Sequence, residues 1–304
     1  MADHLNSPPL KLEDLSRVSS LGASRVRYLV LTWICSLSVV TYLDRVCISG
    51  SAPYIMVDLA LTPVQMGLAF SSFAVAYALF EVPGGWLGDR IGPRKVITRI
   101  VVWWSVFTVF TGLVNRLWSL IVVRFLFGAG EAGAYPNAAK IFSRWMPSFE
   151  RGFSTGMMWM FGRLGGAFAP GLVVFMLAHM GWRHTFGVFG AVGIVWAIFF
   201  WFWFRDTPQE KPRVNEAELQ IIRTGQDPAD IALHGHIRVP WGRLLRSGNL
   251  WAICWMYFCM AYGWYFYITW LPTFLRGRGV SMVYGGLPLF FGAFGCVLGG
   301  LLTD

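Results

Sequence analysis

Residues 124–137 read RFLFGAGEAGAYPN, and two incompatible folds can be built on them. The GAGEAG segment, with Gly128, Gly130 and Gly133, satisfies the G-x-G-x-x-G spacing of a dinucleotide-binding turn. Such a turn must follow a strand and open the helix of a βαβ unit, so that the helix N-terminus meets a pyrophosphate. The surroundings exclude this. The segment lies inside an apolar run that begins near Trp118, and no alternation of helix and strand patterns occurs along the chain. Glycines in such a run act instead as small surfaces on which a neighbouring helix can close.

The rest of the chain has the same character. Of its 304 residues 56% are hydrophobic and only 13% charged, whereas a soluble domain carries about 25% charged residues. A bilayer core about 30 Å thick takes about 20 apolar residues per helical crossing. Eight runs meet that requirement: 28–48, 63–83, 97–115, 118–138, 153–178, 185–204, 250–272 and 283–302. An all-α polytopic membrane protein is expected. The first 25 residues lack the basic start, short apolar core and cleavage site of a signal peptide. The five cysteines fall in or beside apolar runs and are expected to be packing residues.

The net charge of +9 is a topology signal, not a nucleic-acid footprint. Eighteen Lys and Arg lie in the N-terminal tail, the second-to-third and fourth-to-fifth connections and the long loop after the sixth run. The alternate connections hold only Arg116, Arg183, Arg276 and Arg278. By the positive-inside rule the N-terminus and the long loop are cytoplasmic. The expected divisions are a tail (1–27), a six-helix bundle (28–204), a central loop (205–248) with a short surface helix near 215–224, and two helices of a second bundle (249–304). GGWLGD at 84–89 is echoed by GGLLTD at 299–304, each after the second helix of its half. A transporter of two six-helix halves fits this order, so residues 1–304 are expected to be a fragment of a protein of about 400–450 residues. Alone, the fragment is expected not to catalyse counterflow. Its Gly292, Gly295, Gly299 and Gly300 are expected to face the missing helices.

Arg124 and Glu131 are seven residues apart, which puts them within about 20° of one helix face and about 10 Å apart along the axis. Ionised groups at membrane depth cost several kcal/mol unless paired or hydrated, so they face a bundle interior or an aqueous cavity. The first run adds Asp44 and Arg45 in TYLDRVC, about 25 Å above the cytoplasmic edge. These groups share a depth slightly outward of the midplane, where secondary transporters hold substrate. Two readings stand: a transport pathway, or a structural ion pair that locks helices together. Arginine grips a carboxylate with a planar fork of donors, so a cavity holding two favours an organic anion. Asp44 and Glu131, pulled one way by desolvation and the other by arginines, suit proton coupling. Tyr77 either adds a hydroxyl or only packs. Arg163 either contacts substrate or snorkels toward the cytoplasm. Glu81, near the inner end of the second helix, is expected to be structural. The spacing of His234 and His236 does not make a metal site. No cofactor, metal, nucleic acid or enzymatic activity is expected.

GGWLGDRIGPRK (84–95) resembles the loop signature of the major facilitator superfamily, with Gly85, Asp89, Arg90, Gly92 and Arg94 as its gate motif. In that motif Asp89 would meet a neighbouring helix N-terminus, and Arg90 and Arg94 would bridge to acids of the opposite half. YLDR (42–45), RFLFGAGEAGAYPN, RWMPSFERG (144–152), RDTPQEKPRVNEAEL (205–219) and WYFYITWLPTFL (264–275) are similar to the anion:cation symporter family. That family includes bacterial galactonate, hexuronate and glucarate transporters, sialin and the vesicular glutamate carriers. The resemblance implies a proton-coupled symporter of organic carboxylates, with sugar acids foremost. It assigns proton coupling to Asp44 and Glu131, anion binding to Arg45 and Arg124, and cavity positions to Tyr77 and Tyr265. Arg163 stands where many members carry a small or amide residue. A monomer in a bacterial-type inner membrane is expected, its partners being the organic anion, protons and lipid. A neutral-sugar facilitator would not need two buried arginines, and a drug antiporter would present acids. A facilitator or antiporter of another organic anion, such as an aromatic acid, and a membrane ligand sensor are the alternatives.

Overall fold

The structure, a computed structural model, describes residues 22–223 and 241–303. His234, His236 and Asp304 lie outside the described residues. Among the described residues all regular structure is helical. Helix α1 is Val26–Asp58, α2 Pro63–Ile91, α3 Pro93–Thr111, α4 Leu117–Glu131 and α5 Ala134–Trp145. The long α6, Arg151–Trp203, is broken at Gly181 (φ 71°, ψ 167°) into two limbs. Then come α7 (Glu216–Arg223), α8 (Trp241–Leu245), α9 (Gly248–Tyr265), a π-helical turn over Phe266–Trp270, α10 (Leu271–Gly277) and α11 (Leu287–Thr303).

Five described helical stretches are long and apolar enough to cross a membrane: Val26–Asp58, Pro63–Ile91, Leu117–Trp145, Ser148–Trp203 and Met282–Leu302. The fourth, split at Gly181, covers two of the sequence runs. Pro93–Thr111 and Gly248–Tyr265 occupy the places of the remaining two. The start of α2 shows how sequence sets a boundary. Thr62 accepts from the Gln65 amide at 3.3 Å while the Gln65 side chain accepts from the Thr62 amide at 2.8 Å, and Pro63 opens the first turn. Large apolar side chains such as Leu79 and Phe202 point outward, as expected where the surrounding solvent is lipid. Cys35 and Cys47 are buried and Cys296 half-buried, whereas Cys254 and Cys259 on α9 are exposed.

The interior has two apolar clusters. One, toward the end where α1 starts, gathers Val30, Ile34, Trp104, Phe127, Phe142, Trp145, Met158 and Phe200. The other, toward the end where α1 finishes, gathers Cys47, Ile48, Ile55, Met66, Leu120, Val173 and Phe186. Along α1 the change comes between Val40 and Cys47, along α4 between Leu120 and Phe127, and along α6 between Met158 and Val173. Asp44, Arg45, Arg124 and Arg163 all fall in those intervals. A polar layer therefore separates two greasy ones.

Helix α11 runs antiparallel to the first limb of α6 along a seam of small residues. A Cβ on Gly286 would stand 2.0 Å from the Ala167 carbonyl oxygen, and one on Gly300 would stand 2.8 Å from that of Gly152. Gly156 faces the Cys296 carbonyl from the other side. The expectation that Gly292 and Gly300 face outward to further helices is thus corrected: both close on α6. Backbone meets backbone here, which is how membrane helices gain packing without a hydrophobic driving force.

At the end where α1 starts, α7 is docked rather than lying on the surface. Glu218 is fully buried and accepts from the backbone N–H groups of Val26 (3.1 Å) and Arg27 (3.0 Å) and from the Ser24 hydroxyl (2.5 Å). It satisfies donors that the first turn of α1 cannot pair internally, and its charge suits the helix N-terminus. Arg27 forks onto Glu150 at 3.0 and 3.2 Å, which joins the starts of α1 and α6. Glu218→Ala is expected to cost about 1 kcal/mol or more, the usual loss of a cap with a charged acceptor. Faster amide exchange at Val26 and Arg27 reads it, and unchanged exchange there would rule it out.

Candidate functional site

The site is built around the end of α4. The helix stops at Glu131, Ala132 turns extended (φ −56°, ψ 140°), and Gly133 sits in the left-handed region (φ 87°, ψ −3°) before α5 begins. Helix α2 presses on this break: a Cβ on Gly84 would lie 2.8 Å from the Ala132 carbonyl oxygen and 2.9 Å from the Gly133 Cα. The Asn137 side-chain amide ties the two by donating to the carbonyls of Gly133 (2.7 Å) and Gly84 (3.1 Å). Gly128 admits the backbone of Phe73, and Gly130 admits the indole of Trp103. The glycines of GAGEAG therefore serve close helix approach, as the sequence implies. The break itself was not legible: the sequence reads as one continuous helix.

Glu131 is 1% exposed, and its Oε1 accepts from Arg45 Nε at 2.5 Å. The pair crosses from α1 to the end of α4. Arg124, on the same face of α4 as Glu131, is buried over the rings of Phe127 (4.3 Å) and Phe73 (5.1 Å), with its Nε unpartnered. Both oxygens of the buried Asp44 lack a hydrogen-bond partner, as do Glu131 Oε2 and Arg45 Nη2. Arg124, Glu131 and the Trp104 indole are the electrostatic neighbours of Asp44. Four ionisable groups thus share one largely buried layer with a single ion pair among them. Buried polar atoms are normally satisfied, so these are open valences for a ligand, a proton or water.

Aromatic rings wall Arg45. Its guanidinium lies 4.9 Å from the ring of Tyr77, 5.5 Å from Phe73, 5.8 Å from Tyr42 and 6.0 Å from Tyr135. Tyr135 stacks on Trp159 at 4.5 Å, and its buried hydroxyl has no partner. Tyr265, where α9 passes into the π-helical turn, lies within electrostatic reach of Arg45 and Glu131. Glu81 also feels Arg45, so it stands nearer this layer than its place in the sequence suggests. Sequence reasoning missed Tyr42 and Tyr135. For Tyr42 the available signal was helical spacing, three residues before Arg45; Tyr135 lies beyond the break after Glu131, where helical spacing does not carry over.

Arg163 does not snorkel toward the start of α6. It lies over the Trp264 ring at 4.3 Å.

Gly85, Asp89, Arg90, Gly92 and Arg94 lie apart, at the C-terminal end of α2 and the start of α3. Gly85 packs on Pro136. Asp89 pairs with Lys140 of α5 rather than with a helix N-terminus. Arg90 lies over Trp86 at 4.4 Å. The backbone N–H of Arg94 donates to Asp206 at 2.8 Å, and its guanidinium donates to the Trp201 carbonyl at 2.6 Å. Gly92 takes φ 87° against the Asp206 carboxylate. Among the described residues these contacts stay within residues 84–206, short of the acids of an opposite half.

The family profile described as Major Facilitator Superfamily matches residues 34–304. The chain belongs to the major facilitator superfamily. Within it, the chain is 40% identical over 285 residues to a probable sulfoacetate transporter, SauU, of Cupriavidus necator, covering 92% of this chain and 65% of that protein. It is 31% identical to a probable galactarate/D-glucarate transporter, GudP, of Escherichia coli, covering 96% of this chain and 70% of the other. Among solved folds it resembles a bacterial homologue of the human lysosomal transporter Spinster in an inward-facing, unoccupied conformation. That likeness has a TM-score of 0.70 and 25% identity, over 93% of this chain and 63% of the other. The chain spans about two thirds of the length of these curated relatives. They are organic-acid transporters of the superfamily, not enzymes, in agreement with the resemblance read from the motifs.

Proposed function

We propose that this chain forms the anion-holding part of a proton-coupled symporter of organic carboxylates, with sugar acids foremost. The observation that carries the reading is the Arg45–Glu131 pair beside an unpartnered Arg124 and Asp44 in one buried layer. While Glu131 is ionised it occupies the Arg45 fork. A proton on Glu131 cancels that attraction and frees the guanidinium to take a substrate carboxylate, with Arg124 offering a second fork. Proton and anion then load together. Tyr77 and Tyr265 shape the wall of the pocket. Residues 28–204 supply one bundle and 249–304 begin a second, joined through the cytoplasmic loop 205–248. The Asp89–Lys140 and Arg94–Asp206 contacts brace the inner gate of the first bundle. The protein works as a monomer in a bacterial-type inner membrane, N-terminus inside.

The test is equilibrium binding of labelled D-galactonate to the purified protein. Arg45→Gln and Arg124→Gln are each expected to weaken it by about 2 kcal/mol, or about 30-fold, the loss of one charged donor to a buried carboxylate. Wild-type affinity in both variants would remove the anion-pocket reading.

A further inference from the structure

Arg163 is the charged member of the polar layer that the mechanism above leaves idle. It lies on the first limb of α6, about 18 Å above Arg151 at 1.5 Å per residue, too far in to rest at the helix end. No acid pairs with it among the described residues, and its Nε is buried without a hydrogen-bond partner. The Trp264 face beneath it supplies about 1–2 kcal/mol, less than the several kcal/mol that an unpaired cation costs at membrane depth, and the side chain is half-buried. The side chain is nonetheless held in place. On one side is Trp264 of α9, and on the other Gly292 of α11, where a Cβ would stand 2.7 Å from Arg163 Nη1.

Its position relative to the first anion site is set by Tyr42. That ring is 5.8 Å from the Arg45 guanidinium and meets Trp264 edge-on at 6.5 Å, while Gly162 and Gly166 close on it from α6. Tyr42 therefore stands between Arg45 on one side and the Arg163–Trp264 stack on the other. The charges agree with this arrangement. Within the layer three arginines face Asp44 and Glu131, with Glu81 at its edge near Arg45; once Glu131 is protonated with Asp44 ionised, the layer itself holds two unmatched positive charges. A monoanion neutralises one of them. A dianion neutralises both.

We propose that Arg163 is a second anion subsite, selecting short substrates with an anionic group at each end, such as aldarates and sulfocarboxylates, over monoanions of the same length. The proposal rests on Arg45 and Arg124 being the first anion subsite. It assigns Arg163 the distal charge.

Galactarate and D-galactonate make a matched pair of probes, differing only in whether the far carbon is a carboxylate or a primary alcohol. Dissociation constants for both are measured on the purified protein by competition against one labelled acid. The wild type is expected to favour galactarate by about tenfold or more, the effect of one additional charge-assisted contact. Arg163→Gln is expected to lower galactarate affinity about tenfold and D-galactonate affinity less than threefold, so that the preference collapses. Gly292→Val, which leaves the arginine in the sequence but evicts its guanidinium, moves the ratio the same way. Arg163→Lys keeps part of the preference. A ratio unchanged in both Arg163→Gln and Gly292→Val, or an equal loss for both acids, overturns the proposal and makes Arg163 a packing residue. If the wild type binds both acids but without preference, only this proposal falls. If it binds neither, the anion-pocket reading fails and takes this one with it.

Discussion

Glu131→Gln is expected to abolish the pH dependence of organic-acid binding. In the wild type the Glu131 carboxylate competes with the ligand for Arg45 through a 2.5 Å contact at a position 1% exposed to solvent. Binding must therefore take up a proton. Linkage of one proton changes the affinity by up to about tenfold per pH unit, hence about 100-fold over two units. The sign follows from which form releases Arg45. Affinity is highest at low pH, where Glu131 is protonated, and falls as pH rises and the carboxylate reclaims the guanidinium. Glutamine cannot ionise, so the variant should bind at high pH as the wild type does at low pH. D-galactonate affinity measured across that range decides it. A glutamine variant with the full wild-type slope would move the coupling proton to Asp44, whose unpartnered oxygens make Asp44→Asn the next substitution to measure.

The second large effect is structural. Gly133→Val is expected to destabilise the protein by about 3 kcal/mol or more. An L-residue in the left-handed region costs about 1–2 kcal/mol, and more when β-branched. The added side chain also meets backbone rather than a movable group, since a Cβ would lie 2.7 Å from the Gly84 Cα; overpacking of that kind costs about 1–3 kcal/mol. The readout is a lowered thermal midpoint in detergent, together with loss of anion binding, because Glu131 depends on the break for its direction. Gly171→Ala in α6, where a Cβ would meet nothing within 4 Å, is the comparison and should be neutral. A Gly133→Val protein that melts with the wild type would show that the α4–α5 break does not position the site.

The polar layer was legible because charge in an apolar run is conspicuous, and because the seven-residue spacing of Arg124 and Glu131 fixes their shared face by geometry alone. Who pairs with whom was not legible. Glu131 takes Arg45 from another helix, and that choice is made by the way α1 and α4 pack, not by any local pattern. The left-handed residue at 133 was hidden for a related reason: in a segment of three glycines, composition does not say which one bends the chain. Arg163 had two readings because its resting place, Trp264, lies 101 residues further along. A short polar helix reads as a surface helix, so the burial of Glu218 beneath the start of α1 left no trace in periodicity. The same holds for Asp89, whose partner Lys140 is as ordinary in sequence as any loop lysine.

The Glu218 clasp and the glycine seam have opposite mechanical characters. Opening Glu218 from the start of α1, or Arg27 from Glu150, strands buried charge, so α1, α7 and the first limb of α6 are bolted into one block at that end. Across the α6–α11 seam backbone packs on backbone beside apolar side chains such as Leu289 and Phe290, so a shear of a few ångströms there strands no buried acid among the described residues. Displacement within the molecule will concentrate on that slip plane. Arg163 reaches across it beside Gly292. Whatever occupies that guanidinium is therefore lodged between the sliding faces, where it acts as a brake or a key.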